Sequence, residues 1–530
     1  MVPKKPNVKP YDNRQSLVFP PSIRDFLPEG HRAAVMEDIV ESLDLSEFYA
    51  KIPPVGNPSY DPLMMVKILT YAYMQGIRSS RRIARLLETD VAFIYLAGMQ
   101  KPDFRTLCHF RRDNSEQLKG LMQNVVRLCS DLGMIGLKHV ATDGTVVKGN
   151  ASAGKMYDEK KLEKEIAKIL GEADAEDERE DELYGPDKRG DELPEEIRDR
   201  AARLKKIREV KEKLDKKKLE RGNVDEEEDK EKQSGNGKTD KGKKINATDP
   251  DAEFQKAWGR HVVGYRMECM TDEREGVIVA CDVTNDKRDT RHLIPLLNQM
   301  ETTLPAEIEA VKQRGESIAL TADSGFCSLE NLRELEKRGQ YDGYIPDQSY
   351  QSYQRNKGRD TFNKVDFRYH AEGDYYECPD GAILKKHVET TDDGKKVTIY
   401  RVAEEDRCKR CRHFGQCTDS PRGRAVWRYE DDALKEKMRD KLKSEKGRAI
   451  YRRRKMVAEK SFADKKEKMG FRDFLLRGLK GVKCEGLWMT ISFNVSRIIY
   501  YIKRRGVKLK DALGGSLDIR GEECVPVLVA

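Results

Sequence analysis

The order of strand and helix signals predicts an α/β fold: a mixed sheet flanked by helices, preceded by an all-α segment and interrupted by two insertions. Three observations carry this expectation. Two β-branched or apolar runs each end in an aspartate followed by small residues, VATDGTVVKGNAS around Asp143 and IALTADSGFCS around Asp323, as when a buried strand delivers a carboxylate to the rim of a sheet. Next, GRHVVGYRMECMTDEREGVIVACDVTND reads as two strands joined by the turn TDEREG. Finally, the helix RHLIPLLNQMETTL, the Asp323 strand, the helix SLENLRELEKRG and a short strand in YDGYIPD follow in turn. Strand, hairpin, helix, strand, helix, strand is the order of a mixed sheet with one antiparallel side.

Taken from the start, residues 1–30 form a polar arm and residues 31–135 are helical in pattern. DPLMMVKILTYAYMQGI has Asp61 as cap, Pro62 in the first turn and the apolar spacing of a buried helix. SSRRIARLLETDVAFIYLAG offers Ser79 or Ser80 as cap, an apolar stripe, a turn at Thr89-Asp90 and a second apolar helix, a helix-turn-helix in outline. Such corners also serve as plain packing units; Arg78, Arg81, Arg82 and Arg85 tilt the expectation towards DNA contact. The sheet begins in 136–150 and resumes in 251–346. Between them, 151–250 is a charged insertion in which Leu162, Ile166, Ile169 and Leu170, then Ile197, Ala201, Leu204, Ile207, Val210 and Leu214, form two stripes suited to a helical hairpin. The tract ERGNVDEEEDKEKQSGNGKTDKGKK has almost nothing to bury and is expected to be disordered. Residues 347–425 form the second insertion, 426–512 the C-terminal helices and 513–530 a tail.

Composition narrows the function. The chain has 530 residues, 37% of them charged and 38% hydrophobic, so a globular core coexists with strongly polar segments. Its net charge is only +8, but the stretch from Lys435 to Lys510 is basic and that from Glu172 to Glu192 acidic. No run approaches the roughly 18 apolar residues of a membrane span, and the N-terminus lacks the apolar core of a signal peptide, which predicts a cytoplasmic protein. Eleven scattered cysteines do not form a secreted disulfide framework.

A third acid, Glu459, lies in the basic helical segment YRRRKMVAEKSFADKKEKMGF. With Asp143 and Asp323 it makes a carboxylate triad of the kind that holds two divalent cations about 4 Å apart for phosphoryl transfer. The basic surroundings point to a nucleic-acid backbone as substrate. A lone aspartate at a strand end is usually a turn or cap residue, so the reading rests on the three acids jointly. Glu467 and Glu485 are rivals for the third position.

In this order the segments SYDPLMMVKILTYAYMQGIRSSRRIARLL, DFRTLCHFRRDN, ATDGTVVKGNAS, TDPDAEF, VACDVTNDKRDTRHLIPLL, LTADSGFCSLENL and FRDFLLRGLKGVKCEGLWMTISFNVSRII resemble the DDE transposases of bacterial insertion sequences. The resemblance is to the superfamily of insertion sequences four and five, and most closely to the group numbered eleven-eighty-two. It implies a ribonuclease-H-like catalytic core with two magnesium or manganese ions. Asp143, Asp323 and Glu459 match its three catalytic acids. It also implies double-stranded DNA partners, namely the terminal inverted repeats and a target, with a homodimer as the working complex in the bacterial cytoplasm, associated with the nucleoid when bound to DNA. Alternatives are a nuclease on the same core that does not join strands, and a DNA-binding protein derived from a transposase that has lost catalysis. The family's third motif, Y-x2-R-x3-E-x6-K, fits imperfectly: Lys466 is in register, Arg452 stands where Tyr would be and Lys455 where Arg would be, with Tyr451 and Arg454 one position early. At about 100° per residue, Arg452, Lys455 and Lys466 project within about 40° of Glu459 and Arg454 points away. Arg452, Lys455 and Lys466 are therefore the expected phosphate contacts, with Tyr451 and Arg454 next, and Arg81 and Arg82 in the N-terminal segment.

Cys408, Cys411 and Cys417 form C-x2-C-x5-C, and Cys378 lies upstream in YYECPDG. Four thiolates would complete a structural zinc site if a strand pair between Cys378 and Cys408 brought its ends together; His413 could replace one of them.

Overall fold

The computed structural model describes residues 22–55, 58–151, 156–158, 161–164, 208–216, 244–257, 260–347, 362–392, 395–429, 432–506 and 509–512. Most of the N-terminal arm, the polar tract from Glu220 to Lys243, the tail after residue 512 and most of the two charged stripes lie outside them.

The main sheet has six strands: β1 (His139–Lys148), β4 (Glu253–Ala257), β5 (Arg260–Asp272), β6 (Ile278–Thr284), β7 (Ile318–Thr321) and β8 (Tyr341–Tyr344), in the order β4-β5-β1-β7-β8 with β6 also on β5. β1, β7 and β8 pair in parallel, whereas β5 runs antiparallel to β1, β4 and β6. This is the mixed sheet expected from the order of signals, hairpin included. β2 (Met156–Tyr157) and β3 (Ile245–Asn246) form a small ribbon at the base of the charged insertion. There Leu162, Val210, Leu214 and Ile245 bury one another, so the described parts of the two stripes do meet.

In the N-terminal part the helix Pro62–Met74 starts as predicted: Asp61 Oδ1 accepts from the Leu63 amide at 2.8 Å, and Pro62 occupies the first turn. Its residues are almost all buried. Ser79 caps the helix Ser80–Thr89, and Asp90 then caps Val91–Leu96 by accepting from the amides of Ala92 and Phe93. This second helix spans 6 residues and buries Ala92, Phe93 and Leu96, so it serves chiefly as packing. Arg81, Arg82 and Arg85 remain exposed on the first helix, with Arg81 and Arg105 both over the Phe104 ring.

Arg78 departs from expectation. Its guanidinium is buried and donates to Glu485 at 2.9 Å, to Asp473 Oδ1 at 2.8 Å and to the Gly470 carbonyl at 3.2 Å. Glu485, fully buried on the long helix Gly478–Arg505, also accepts from the amides of Leu475 and Leu476. Arg78 is thus an internal counter-ion, not a DNA contact, and Glu485 is excluded as a catalytic acid by the same pair. The helix Gly478–Arg505 packs against Pro62–Met74, Ser115–Asp131 and β6, merging the N-terminal helices and the sheet into one apolar core. No helix among the described residues is long and apolar enough to cross a membrane.

The second insertion folds as an antiparallel sheet of β9 (Arg368–His370), β10 (Tyr375–Glu377), β11 (Ile383–Asp392), β12 (Lys395–Val402) and β13 (Ala425–Tyr429), in the order β13-β12-β11-β10-β9. β13 carries it past the expected boundary at 425 and leads into the helices Asp432–Lys443 and Glu445–Glu467.

Removing one member of a buried ion pair strands the other charge, at a cost of about 3–5 kcal/mol. Arg78→Leu should therefore lower stability by that order in urea unfolding, and adding Glu485→Leu should recover most of the loss. A near-neutral Arg78→Leu would show that the pair does not join the two parts.

Candidate active site

Parallel pairing sets Ala141 opposite Thr321, so Asp143, within β1, and Asp323, just past the end of β7, stand equally far beyond that pair. Strand alternation turns His139, Ala141, Asp143 and Thr145 to one face. The helix Glu445–Glu467 covers this face. Ala141 packs on Val457 and Ala458, Thr145 Oγ1 accepts from Lys466 Nζ at 2.7 Å, and Asp143 Oδ1 lies 3.4 Å from Arg454 Nη1. Small Ala141 and Ala458 let the helix sit close enough for these contacts.

The helix register differs from the expectation at Arg454. Measured from Glu459, Arg454 should leave the catalytic face, yet it is the cation that meets Asp143. The reason is that Ala458 faces the sheet; Arg454 lies one turn before it on the same side, whereas Glu459 is about 100° round the helix. Glu459 is exposed on the flank of the helix, in a cleft shared with Glu273, Lys455, Asp464 and Arg497. Arg452 and Lys455 are exposed, and Arg453 pairs with Glu273. The Arg454 guanidinium lies 5.7 Å from the Tyr451 ring centroid. Lys466 is half-buried beside Asp143, where burial lowers its pKa and the carboxylate opposes that shift. Glu467 is exposed farther along the helix.

Charge links the three acids. Burial pushes the Asp143 carboxyl up to about 6; Arg454 opposes the shift, and the carboxylates of Asp323 and Glu459 add to it. A second group lies beside them that sequence reading missed. Glu268, opposite Gly144 across β1 and β5, is fully buried. A Cβ on Gly144 would fall 2.2 Å from Glu268 Oε2, so only glycine leaves room for that carboxyl. Arg266 donates to Glu268 Oε1 at 3.1 Å and reaches Asp289 Oδ1 at 2.5 Å. Burial drives Glu268 up to about 8 against the pull of Arg266, and its Oε2 has no partner. Asp289 adjoins Asp323: a Cβ on Gly325 would lie 2.2 Å from Asp289 Oδ2 and 3.0 Å from Asp323 Oδ1. Burial raises Asp289 to about 6, opposed by Arg266 and reinforced by Asp323 and Asp143. The available signal was the pair Arg266 and Glu268, charges at alternate positions in a largely apolar strand; nothing local in the sequence points to Asp289.

Among the described residues no three carboxylate, thiol or imidazole groups converge on one point within reach of an ion. At Asp143 the neighbouring space is taken by Arg454, whose buried Nη1 has no hydrogen-bond partner. The donor set nevertheless suits hard divalent cations: it is all carboxylate, and both the burial that raises Asp143 and the repulsion that adds to it are what such a charge would offset.

The Asp143 shift has a pH signature. A folded-state value of about 6 against an ordinary 3.8 means that ionisation opposes folding. Stability is therefore fully present below about pH 3.8 and falls as pH rises through 6, by about 3 kcal/mol in all. In buffer without divalent cations, Asp143→Asn should match the parent near pH 4 and exceed it in stability at pH 7.5. Equal urea midpoints at pH 7.5 would contradict the buried, charged Asp143 described here.

Two family models match the chain. Residues 377–499 match a transposase DDE domain and residues 21–113 match a transposase domain of the type designated DUF772. The first segment contains Glu459 and the four clustered cysteines, the second Arg81 and Arg82; Asp143 and Asp323 lie outside both. No curated protein matches the chain. The mixed sheet with its flanking helices is consistent with a ribonuclease-H-like DDE domain, and the two matches at opposite ends of the chain support a DDE transposase.

Proposed function

We propose that the chain is a transposase that cuts double-stranded DNA at the terminal repeats of its own element and joins the freed 3′ hydroxyl to a target. The observation that carries this reading is the electrostatic coupling of Asp143, Asp323 and Glu459 where two parallel strands meet a basic helix. Two magnesium or manganese ions, when bound, would supply activation of the attacking oxygen and stabilisation of the leaving one.

In this reading Asp143 and Asp323 hold the ions from the sheet and Glu459 from the helix. Arg454 and Lys466, the cations bordering Asp143, hold the scissile phosphate in line. Their charge is set back among the acids, so they serve a phosphate drawn into the site. Tyr451 backs the Arg454 guanidinium, and Arg452 and Lys455 contact DNA to either side. Exposed Arg81 and Arg82 suit the backbone of the element end. A homodimer would bring two ends together.

The test is a reaction of purified chain, magnesium, a fragment carrying the inverted repeats and a supercoiled target. Asp143→Asn, Asp323→Asn and Glu459→Gln should each reduce cleavage to below about a thousandth of the parent rate, with end binding retained. Near-normal cleavage by any one of them would remove that residue from the site. Cleavage without joined product in the parent would make the protein a nuclease. For end binding, Arg81→Ala with Arg82→Ala should reduce the salt slope by about 1.8, roughly 0.9 per lost phosphate contact. An unchanged slope would place the DNA elsewhere.

A further inference from the structure

We propose that Cys378, Cys408, Cys411 and Cys417 bind one zinc ion as a four-thiolate structural centre that closes the β9–β13 sheet. The fold gathers residues far apart in sequence. The hairpin of β11 and β12 runs out and back, so Cys378 at its start and Cys408 beyond its end flank the same open side. All four cysteines line one cavity of about 40 Å3, walled by Phe362, Phe367 and Val402. The other three thiols are close enough to influence Cys417 electrostatically.

The backbone around the sulfurs is arranged for thiolates. In the turn from β10 to β11, Gly381 takes φ +77° and the Ala382 amide donates to Cys378 Sγ at 3.2 Å. The His413 amide donates likewise to Cys411 Sγ at 3.4 Å. Amide donors to sulfur favour the ionised form that ligates a metal. The Cys417 carbonyl is pinned by Arg424 at 2.8 Å. Four thiolates around a divalent ion leave two net negative charges, and Arg407 and Arg424, which line the same cavity, stand close enough to offset them.

The structure also chooses the ligand set. His413 Nδ1 faces Gln416 at 3.3 Å, its Nε2 accepts from Arg412 at 3.1 Å, and its ring centroid lies 4.7 Å from that of Phe362. With both nitrogens engaged, the fourth ligand is a thiolate. No three of the sulfurs converge on one point as they stand, so ion binding requires rotation about χ1 within the cavity. Soft thiolates in a tetrahedral set with no redox role select zinc. The need is physical: among the described residues, the buried apolar cluster of this sheet is small, made of Phe367, Tyr376, Ala382, Leu384, Tyr400, Val402 and Val426.

The experiment is metal analysis of the full chain purified under reducing conditions without chelator. About one zinc per chain is expected, kept in His413→Ala and Cys108→Ser and lost in Cys378→Ser and in Cys408→Ser with Cys411→Ser. Cobalt in place of zinc in the parent chain should give intense thiolate charge-transfer bands, a readout that needs no variant. Zinc below about a tenth of an equivalent, a disulfide among these cysteines in its place, or full zinc in Cys378→Ser would each overturn the proposal.

Discussion

The parallel pairing of β1 with β7 is the constraint on which the acid site depends. It sets Asp143 level with Asp323, and strand alternation then decides which face each side chain meets. A slip of one residue would turn Asp143 into the apolar layer on the other side and bring Val140 and Thr142 under the basic helix. The register is held from both edges: β5 pairs with β1 from Val140 to Lys148, and His139 Nε2 contacts Thr321 Oγ1 at 2.9 Å. The helix Glu445–Glu467 reads that register through Ala141, where a larger residue would hold Arg454 and Lys466 away from the carboxylates.

Gathering acids in a half-buried place conflicts with stability, and the surrounding residues show how the conflict is contained. Arg266 sits between Glu268 and Asp289, while Arg454 and Lys466 border Asp143. Each side of the sheet therefore has its own counter-ion. A carboxyl as fully buried as Glu268, with one oxygen unpartnered, is the sort of local inconsistency that folded proteins keep near functional sites.

Much of this was legible because it is local. The Asp61 and Ser79 caps, the β5–β6 hairpin and the strand that ends just before Asp323 follow from short-range pattern and turn chemistry, whereas the strand expected to end at Asp143 continues to Lys148 because β5 pairs with it from Val140 onwards. What was not legible depends on partners distant in sequence. Arg78 looks like its exposed neighbours Arg81 and Arg82 until Glu485 is brought to it. Arg454 was misjudged because its direction was measured from Glu459, whereas the sheet packs on Ala458. The β9–β13 sheet was read as little more than a strand pair because strands such as ILKKHVETTD are polar; they are held by a few aromatic contacts, among them Tyr369, Tyr376 and Tyr400. Asp289 carries no signal of its own, since its meaning comes from Gly325 and Asp323.

The Arg78–Glu485 pair makes the N-terminal helices an inseparable part of the molecule. The guanidinium comes from the segment matching one transposase model, and the carboxylate from the segment matching the other. A chimaera that exchanged residues 22–113 alone to redirect DNA recognition would carry across an arginine without its carboxylate, or leave the carboxylate behind in apolar surroundings. Modular exchange in this architecture therefore requires the turn and helix of residues 470–485 to travel with the N-terminal helices, and the two segments should diversify as a linked pair.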